Sequence, residues 1–202
     1  AYEKLNHSLN ILPDLTEGYY RVLFINVQSA LHDEVEIRKT TGGIEINDTA
    51  VDGAQNLALS AARLTAKQYS LHSGLRIDIR KHIPIRAGLG GGSADAATVI
   101  NGLSLLFGLQ MSVEKRSALA RELGMDVCYC VVGGLCRVEG AGERVTKLPF
   151  RMPEIDTLIA VPSETKPSTA WAYSILEKDG LGAGHGKVPI LLDSIKKRDI
   201  PA

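Results

Sequence analysis

The run Ala87-Gly88-Leu89-Gly90-Gly91-Gly92-Ser93-Ala94 constrains this chain more than any other feature. Upstream of it, Leu75, Ile77 and Ile79 alternate with Arg76, Asp78 and Arg80, the period of a strand with one buried face, and that strand runs toward Pro84. Downstream, residues 98–106 are apolar enough for a well-buried helix, which Ser93 and Ala94 would open. Strand, glycine loop and helix in that order let consecutive backbone N–H groups converge on an anion, and the helix adds the positive end of its dipole. A phosphate-bearing ligand is expected there. The plainer alternatives, a flexible linker or a close helix–strand crossing, are disfavoured because the run abuts both elements with no spare residues on either side.

Two better-known phosphate motifs fail on spacing. A Walker A loop needs a lysine and a hydroxyl after its last glycine, and no lysine follows Gly90, Gly91 or Gly92. Gly186-Lys187 is the one Gly-Lys pair, with Leu181 where the first glycine belongs and Val188 where the hydroxyl belongs. A dinucleotide fingerprint counted from Gly88 and Gly90 puts Ser93 in the place of its last glycine, and the surrounding chain lacks the repeated parallel units of that fold.

The remaining elements follow from periodicity. Residues 4–12 and 21–27 are β-rich on either side of the turn-forming Pro13-Asp14-Leu15-Thr16-Glu17-Gly18. Val35 and Ile37, then Ile44 and Ile46 after Gly42-Gly43, repeat a period of two and read as half-buried strands joined by a tight turn. Between Asn56 and Tyr69, Leu57, Ala61 and Leu64 share one helical face while Arg63 and Lys67 lie elsewhere. A further helix is expected to start at Ser112 as N-cap, to carry Leu119, Ala120 and Leu123 inward, and to stop at Gly124. Strands are expected over residues 127–132, 135–139 and 158–161, and a loop or linker over 178–187. Strands and helices mix without a regular βαβ repeat, so the fold class expected is α+β, with a largely antiparallel or mixed sheet.

Composition narrows the partners. Apolar residues make up 45% of the 202, enough for a sizeable core. Lys and Arg number 23, as do Asp and Glu, so attachment to a nucleic acid by bulk charge is not expected, and Lys196-Lys197-Arg198 reads as a solvated segment. Neither a membrane-length apolar stretch nor a signal-like start is present, and a soluble, cytoplasmic protein with no membrane partner is expected. Cys128, Cys130 and Cys136 are odd in number with no histidine nearby, and read as buried thiols rather than as disulfides or metal ligands.

Pro84-Ile85-Arg86-Ala87-Gly88-Leu89-Gly90-Gly91-Gly92-Ser93-Ala94-Asp95-Ala96-Ala97 resembles the ATP-binding motif of the GHMP kinases, and its three-glycine form is most similar to the branch acting on 4-diphosphocytidyl-2-C-methyl-D-erythritol in the non-mevalonate isoprenoid pathway. Other segments match that branch in order: Lys4-Leu5-Asn6, Glu17-Gly18-Tyr19-Tyr20, Asn56-Leu57, Leu123-Gly124-Met125-Asp126-Val127, Glu139-Gly140-Ala141-Gly142-Glu143, and Ser168-Thr169 with Tyr173. The resemblance implies a GHMP kinase fold, in which residues 1–155 form an ATP-binding lobe like ribosomal protein S5 domain 2 and residues 156–202 begin an incomplete C-terminal α+β lobe. That lobe ordinarily carries a second glycine-rich segment; nothing after Thr169 supplies one, and Gly180 to Gly186 comes too early.

The resemblance also implies the chemistry: transfer of the γ-phosphate of ATP, with Mg2+, to a hydroxyl of a small molecule. Asp126 would act as base and Lys4 as its cationic partner, although by themselves they read as a turn or cap residue and a solvated lysine. Pro84, Ala87, Gly88, Leu89, Gly90, Gly91, Gly92, Ser93 and Ala94 would hold the triphosphate, and Asn56 would lie near adenine. Tyr19, Tyr20 and Tyr173 fall at positions that read cytosine, Asn6 near the transferred group, and Gly140 and Ala141 on the acceptor side. No acidic cluster in the sequence identifies a magnesium site.

Departures from the family pattern gather on the acceptor side. Tyr20 stands in place of a histidine, Glu17 of an aspartate, and Cys128 and Cys130 of a proline and an aromatic residue, while His7 and Ser8 replace apolar residues. Arg86 stands where the loop usually has glycine, and either adds a cation beside the phosphates or points outward. A kinase for a different alcohol, a non-catalytic nucleotide-binding homologue and an RNA-binding module remain alternatives, the last disfavoured by the net charge of zero.

Overall fold

The computed structural model describes residues 1–16, 19–51, 56–161, 175 and 187–197. Its α+β architecture agrees with the sequence expectation. Strands β1 (Leu5–Thr16) and β2 (Tyr19–Val27) form a long antiparallel hairpin, interrupted by register shifts between Asn6 and Ser8 and between Ile11 and Leu15. A second sheet contains β3 (Glu34–Thr40), β4 (Ile44–Asp48) and β5 (Gly74–Arg80) in the order β3-β5-β4.

β3 and β4 were expected to pair with each other as a hairpin; instead they flank β5, which runs antiparallel to β3 and parallel to β4. The physical reason is that β5 is the most apolar of the three. Leu75, Ile77 and Ile79 are 0–2% exposed, and burying each contributes about 1.5–3 kcal/mol, so β5 takes the central place. The link between β3 and β4 passes over the start of β5, and a β-carbon on Gly74 would collide with the carbonyl of Gly42.

Helix α1 (Leu57–Gln68) connects β4 to β5 and packs on α2 (Gly91–Leu106). α2 starts earlier than the expected Ser93, because Gly90 is already its N-cap. α3 (Val113–Leu123) begins at Ser112, whose hydroxyl accepts from Lys115 N, and ends at Gly124, as expected. The strand expected over 127–132 is instead helix α4 (Met125–Val132). A short run of Val, Cys and Tyr does not distinguish a buried strand from a buried helix, and here Val127, Cys128, Tyr129, Cys130 and Val131 are all enclosed by neighbouring elements.

β6 (Cys136–Gly140) and β7 (Arg144–Lys147) extend the hairpin into a four-stranded antiparallel sheet, β1-β2-β6-β7. The strand expected over 158–161 is absent: residues 148–161 carry neither helix nor strand, and Leu158 is 95% exposed, so its alternation buries no face against a sheet. Helix α5 (Lys187–Lys197), which the sequence reading did not anticipate, lays Val188 and Ile195 against Ile25 and Leu135. Lys196 and Lys197 are exposed, as expected. Among the described residues no helix is long and apolar enough to cross a membrane.

Candidate active site

The first residues of the chain meet the start of α2. The backbone N–H of Lys4 donates to Leu89 O (2.9 Å), and a β-carbon on Gly90 would lie 2.9 Å from Lys4 Cγ. Gly90 also has φ +70°, a left-handed conformation costly to other residues. As N-cap it has no side chain to accept from the first turn of α2.

The Lys4 side chain then reaches two groups. Its Nζ lies 3.2 Å from Asp126 Oδ1 and donates to Asn6 Oδ1 at 3.1 Å. Lys4 is 7% exposed at its side chain and Asp126 51%, so a buried cation supports a carboxylate that faces solvent. Asp126 belongs to the first turn of α4, just after Gly124 ends α3. The turn between β6 and β7 approaches the same place, because a β-carbon on Gly142 would lie 3.0 Å from Met125 Cβ. Gly140 and Ala141 open that turn, and the Ala141 amide donates to Glu143 Oε2 at 2.7 Å.

The expected phosphate residues are contiguous. Pro84, Ile85, Arg86 and Gly88 are exposed, Leu89 is buried beneath them, and the chain passes directly into Gly91, Gly92, Ser93 and Ala94 of α2. Arg86 has φ +60°, which accounts for glycine being usual at its position. Asn56 proves to be the N-cap of α1: its Oδ1 accepts from Ala58 N (2.9 Å) and its Nδ2 donates to Asp48 Oδ2 (2.7 Å). Its neighbour Leu57 lies 4.0 Å from where a β-carbon on Gly92 would be, so the starts of α1 and α2 are adjacent.

The structure does not gather all the acceptor-side residues. Tyr19 and Tyr20 pair with Thr16 and Leu15 at the end of the β1–β2 hairpin remote in register from Asn6, while Tyr173 and Glu17-Gly18 lie outside the described residues. Cys128 and Cys130 are buried in the core, as expected of them. Burial pushes their thiols up to about 11 and about 12, and that of Cys136 to about 11.

Sequence reading missed a buried ionic cluster below the loop. Lys81 Nζ, at the end of β5, lies 2.5 Å from Asp33 Oδ2 and 2.6 Å from Asp95 Oδ2. Burial raises Asp95 to about 6, with Lys81 drawing it only part of the way back. At Asp33 burial is outweighed by Lys81 and by the amides of Ile83 and His82, so its carboxyl sits below the usual range; the two carboxylates likewise hold Lys81 above its ordinary value despite burial. The only hint in the sequence was Asp95 itself, inside an otherwise small and apolar run.

As for a metal, the described residues contain no group of three or more His, Cys, Asp or Glu side chains able to hold one. Asp33 and Asp95 hold Lys81, and Asp126 pairs with Lys4. Such a donor set does not build an all-protein cage for magnesium.

The chain matches the GHMP kinases N terminal domain over residues 56–134. It is 36% identical to the 4-diphosphocytidyl-2-C-methyl-D-erythritol kinase of Acetivibrio thermocellus, over 99% of this chain and 71% of that relative. It is 40% identical to the protein of the same name from Caldicellulosiruptor saccharolyticus, over 88% of this chain and 62% of that relative. A crystal structure of 4-(cytidine 5'-diphospho)-2C-methyl-D-erythritol kinase superposes with TM-score 0.78 at 27% identity, covering 100% of this chain and 72% of that one. Homoserine kinase from Cytophaga hutchinsonii, at TM-score 0.57 and 19% identity, shares the fold.

Proposed function

The chain belongs to the GHMP kinases, in the branch whose relatives are named 4-diphosphocytidyl-2-C-methyl-D-erythritol kinase, and from that premise we propose that it transfers the γ-phosphate of ATP to a hydroxyl of 4-diphosphocytidyl-2-C-methyl-D-erythritol in isoprenoid precursor synthesis. The observation that carries the proposal is the position of Lys4, whose stem crosses Gly90 of the anion-binding loop and whose Nζ pairs with Asp126. One side chain thereby links a site for phosphate to a carboxylate facing solvent.

An alcohol is a weak nucleophile until a base takes its proton. Asp126 accepts that proton as the acceptor oxygen bonds to the γ-phosphorus; the bond from that phosphorus to its bridging oxygen breaks, and ADP leaves with the electron pair. Lys4 Nζ offsets charge on the moving phosphoryl group, and Asn6 holds Lys4 toward it. The open amides at the start of α2 receive the triphosphate, with residues from Pro84 to Ala94 shaping the cradle. Adenine lies toward the start of α1, where Asn56 acts either by placing that helix or by exchanging its Asp48 bond for the base. Gly140 and Ala141 border the acceptor beside Asp126, and Tyr19 and Tyr20, at the far end of the β1–β2 hairpin, read together with Tyr173 the cytosine end of the acceptor, the end remote from the transferred group.

In this reading magnesium enters as part of the Mg-ATP substrate, and no step is assigned to it. Residues 1–155 constitute the ATP-binding lobe and residues 156–202 the start of the second; the reaction is placed in the cytoplasm, with small molecules as partners. The chain spans 62–71% of the length of the two curated relatives described above. The test is ADP release from Mg-ATP across a panel of alcohols. Best turnover with the cytidylated acceptor supports the proposal, and best turnover with an uncytidylated alcohol transfers the chain to another acceptor.

A further inference from the structure

The loop that would hold ATP is anchored from below by groups that the mechanism above does not use. It joins two stems, the segment leaving β5 (Lys81, His82, Ile83) and the first turns of α2. Asp33, just before β3, accepts at Oδ1 from the amides of His82 (2.6 Å) and Ile83 (2.8 Å), which fixes the first stem. Lys81 Nζ connects Asp33 Oδ2 to Asp95 Oδ2, which belongs to the second stem. The fit is close, for a β-carbon on Gly91 would lie 3.3 Å from Lys81 Nζ and 3.1 Å from Ile83 Cγ2.

All three side chains are enclosed: Lys81 is 7% exposed, Asp33 0% and Asp95 3%. Lys81 is thus committed inward and is not a phosphate ligand. Replacing such ion pairs by apolar side chains is often neutral or stabilising, so burial of this kind is poor evidence of a contribution to stability. Asp95 illustrates the point, since its Oδ1 accepts no hydrogen bond from the described residues and its carboxyl is held above the ordinary range.

We infer that Asp33, Lys81 and Asp95 form a clasp that positions the nucleotide loop, holding its two stems at the separation at which the open amides of α2 meet a triphosphate. Asp33, Lys81 and Asp95 are positioning residues: they act through the loop and touch no reacting atom. The inference rests on the ATP-binding reading of that loop, and it adds to that reading a reason for a charged cluster where an apolar one would pack.

The experiment is calorimetric titration of the full chain with ATP at pH 7.5, alongside thermal unfolding and the KM for each substrate. Asp95→Asn keeps the shape and a bond to Lys81 while removing the charge. Its dissociation constant for ATP is expected to rise on the order of tenfold, with KM for ATP rising in step, KM for the acceptor unchanged and the unfolding midpoint not lowered. Lys81→Gln, which keeps a hydrogen-bonding head, is expected to weaken ATP binding in the same way and provides the reading if Asp95→Asn does not fold. ATP affinity equal to the parent's in either folded variant overturns the clasp while leaving the kinase reading intact. A parent chain that binds no ATP overturns both.

Discussion

Lys4 Nζ stands 3.2 Å from Asp126 Oδ1, joining the residue before β1 to the first turn of α4. With the Lys4 stem against Gly90, this contact ties the start of α4 to the start of α2. The two are therefore expected to respond together to substitutions that displace Lys4.

Gly90→Ala tests that coupling. Its β-carbon would lie 2.9 Å from Lys4 Cγ, in a left-handed backbone that costs a residue with a β-carbon about 1–2 kcal/mol. The expected outcome is a chain less stable by about that amount in urea, with kcat reduced on the order of a hundredfold because Lys4 and the loop shift together. An alanine variant with undiminished kcat would show that Lys4 is not held in place by the loop.

Arg86→Gly works in the opposite direction. Arg86 adopts φ +60° on an exposed loop, so glycine relieves strain while adding some freedom to the unfolded chain. The net gain is expected to reach about 1 kcal/mol, read as a higher urea midpoint at unchanged slope. The same variant decides what the side chain does: weaker ATP binding places the guanidinium beside the phosphates, and unchanged binding places it in solvent.

Asp95 gives a pH dependence with a definite sign. Its folded value of about 6 exceeds the ordinary carboxylate value of about 3.9, so between these values the folded chain holds a proton that the unfolded chain has released. Stability from this group is full below about pH 4 and is lost as pH rises to about 6, at no more than about 1.4 kcal/mol per pH unit. Asp33, shifted down, acts in the opposite sense, losing its contribution only as pH falls further. Subtracting the Asp95→Asn stability curve from the parent's isolates the slope between pH 4 and 6, and a flat difference would contradict the assignment.

The three cysteines are expected to be silent. With thiols raised by burial to about 11, 12 and 11, the folded chain at pH 8 reacts slowly with a thiol reagent, and all three titrate promptly in denaturant. Rapid labelling of Cys128 or Cys130 in the native state would mean that α4 opens beside Asp126.

What could be read in the sequence was local. The alternation of Leu75, Ile77 and Ile79, the glycines after Pro84 and the Ser112 cap each declare themselves within a few residues, and all three elements were found. β3 and β4 read locally as partners because the better partner of each, β5, arrives only after α1. Residues 127–132 read as a strand because β-branched and aromatic residues favour one, whereas enclosure on every side makes a helix equally able to bury them. The clasp was invisible because its members lie 48 and 14 positions apart, and no local pattern links Asp33 to Lys81 to Asp95. Lys4 and Asp126 were legible through family resemblance alone; the structure adds the contact between them.

The central claim is that Asp126 takes the proton of the acceptor hydroxyl. The direct measurement is ADP release from Mg-ATP and 4-diphosphocytidyl-2-C-methyl-D-erythritol by the parent chain and by Asp126→Asn, with ATP affinity determined for both. The account predicts turnover by the parent and a loss of about 10²–10⁴-fold in kcat for the variant, with ATP affinity retained. Undiminished turnover by Asp126→Asn, or no turnover by the parent, would contradict it.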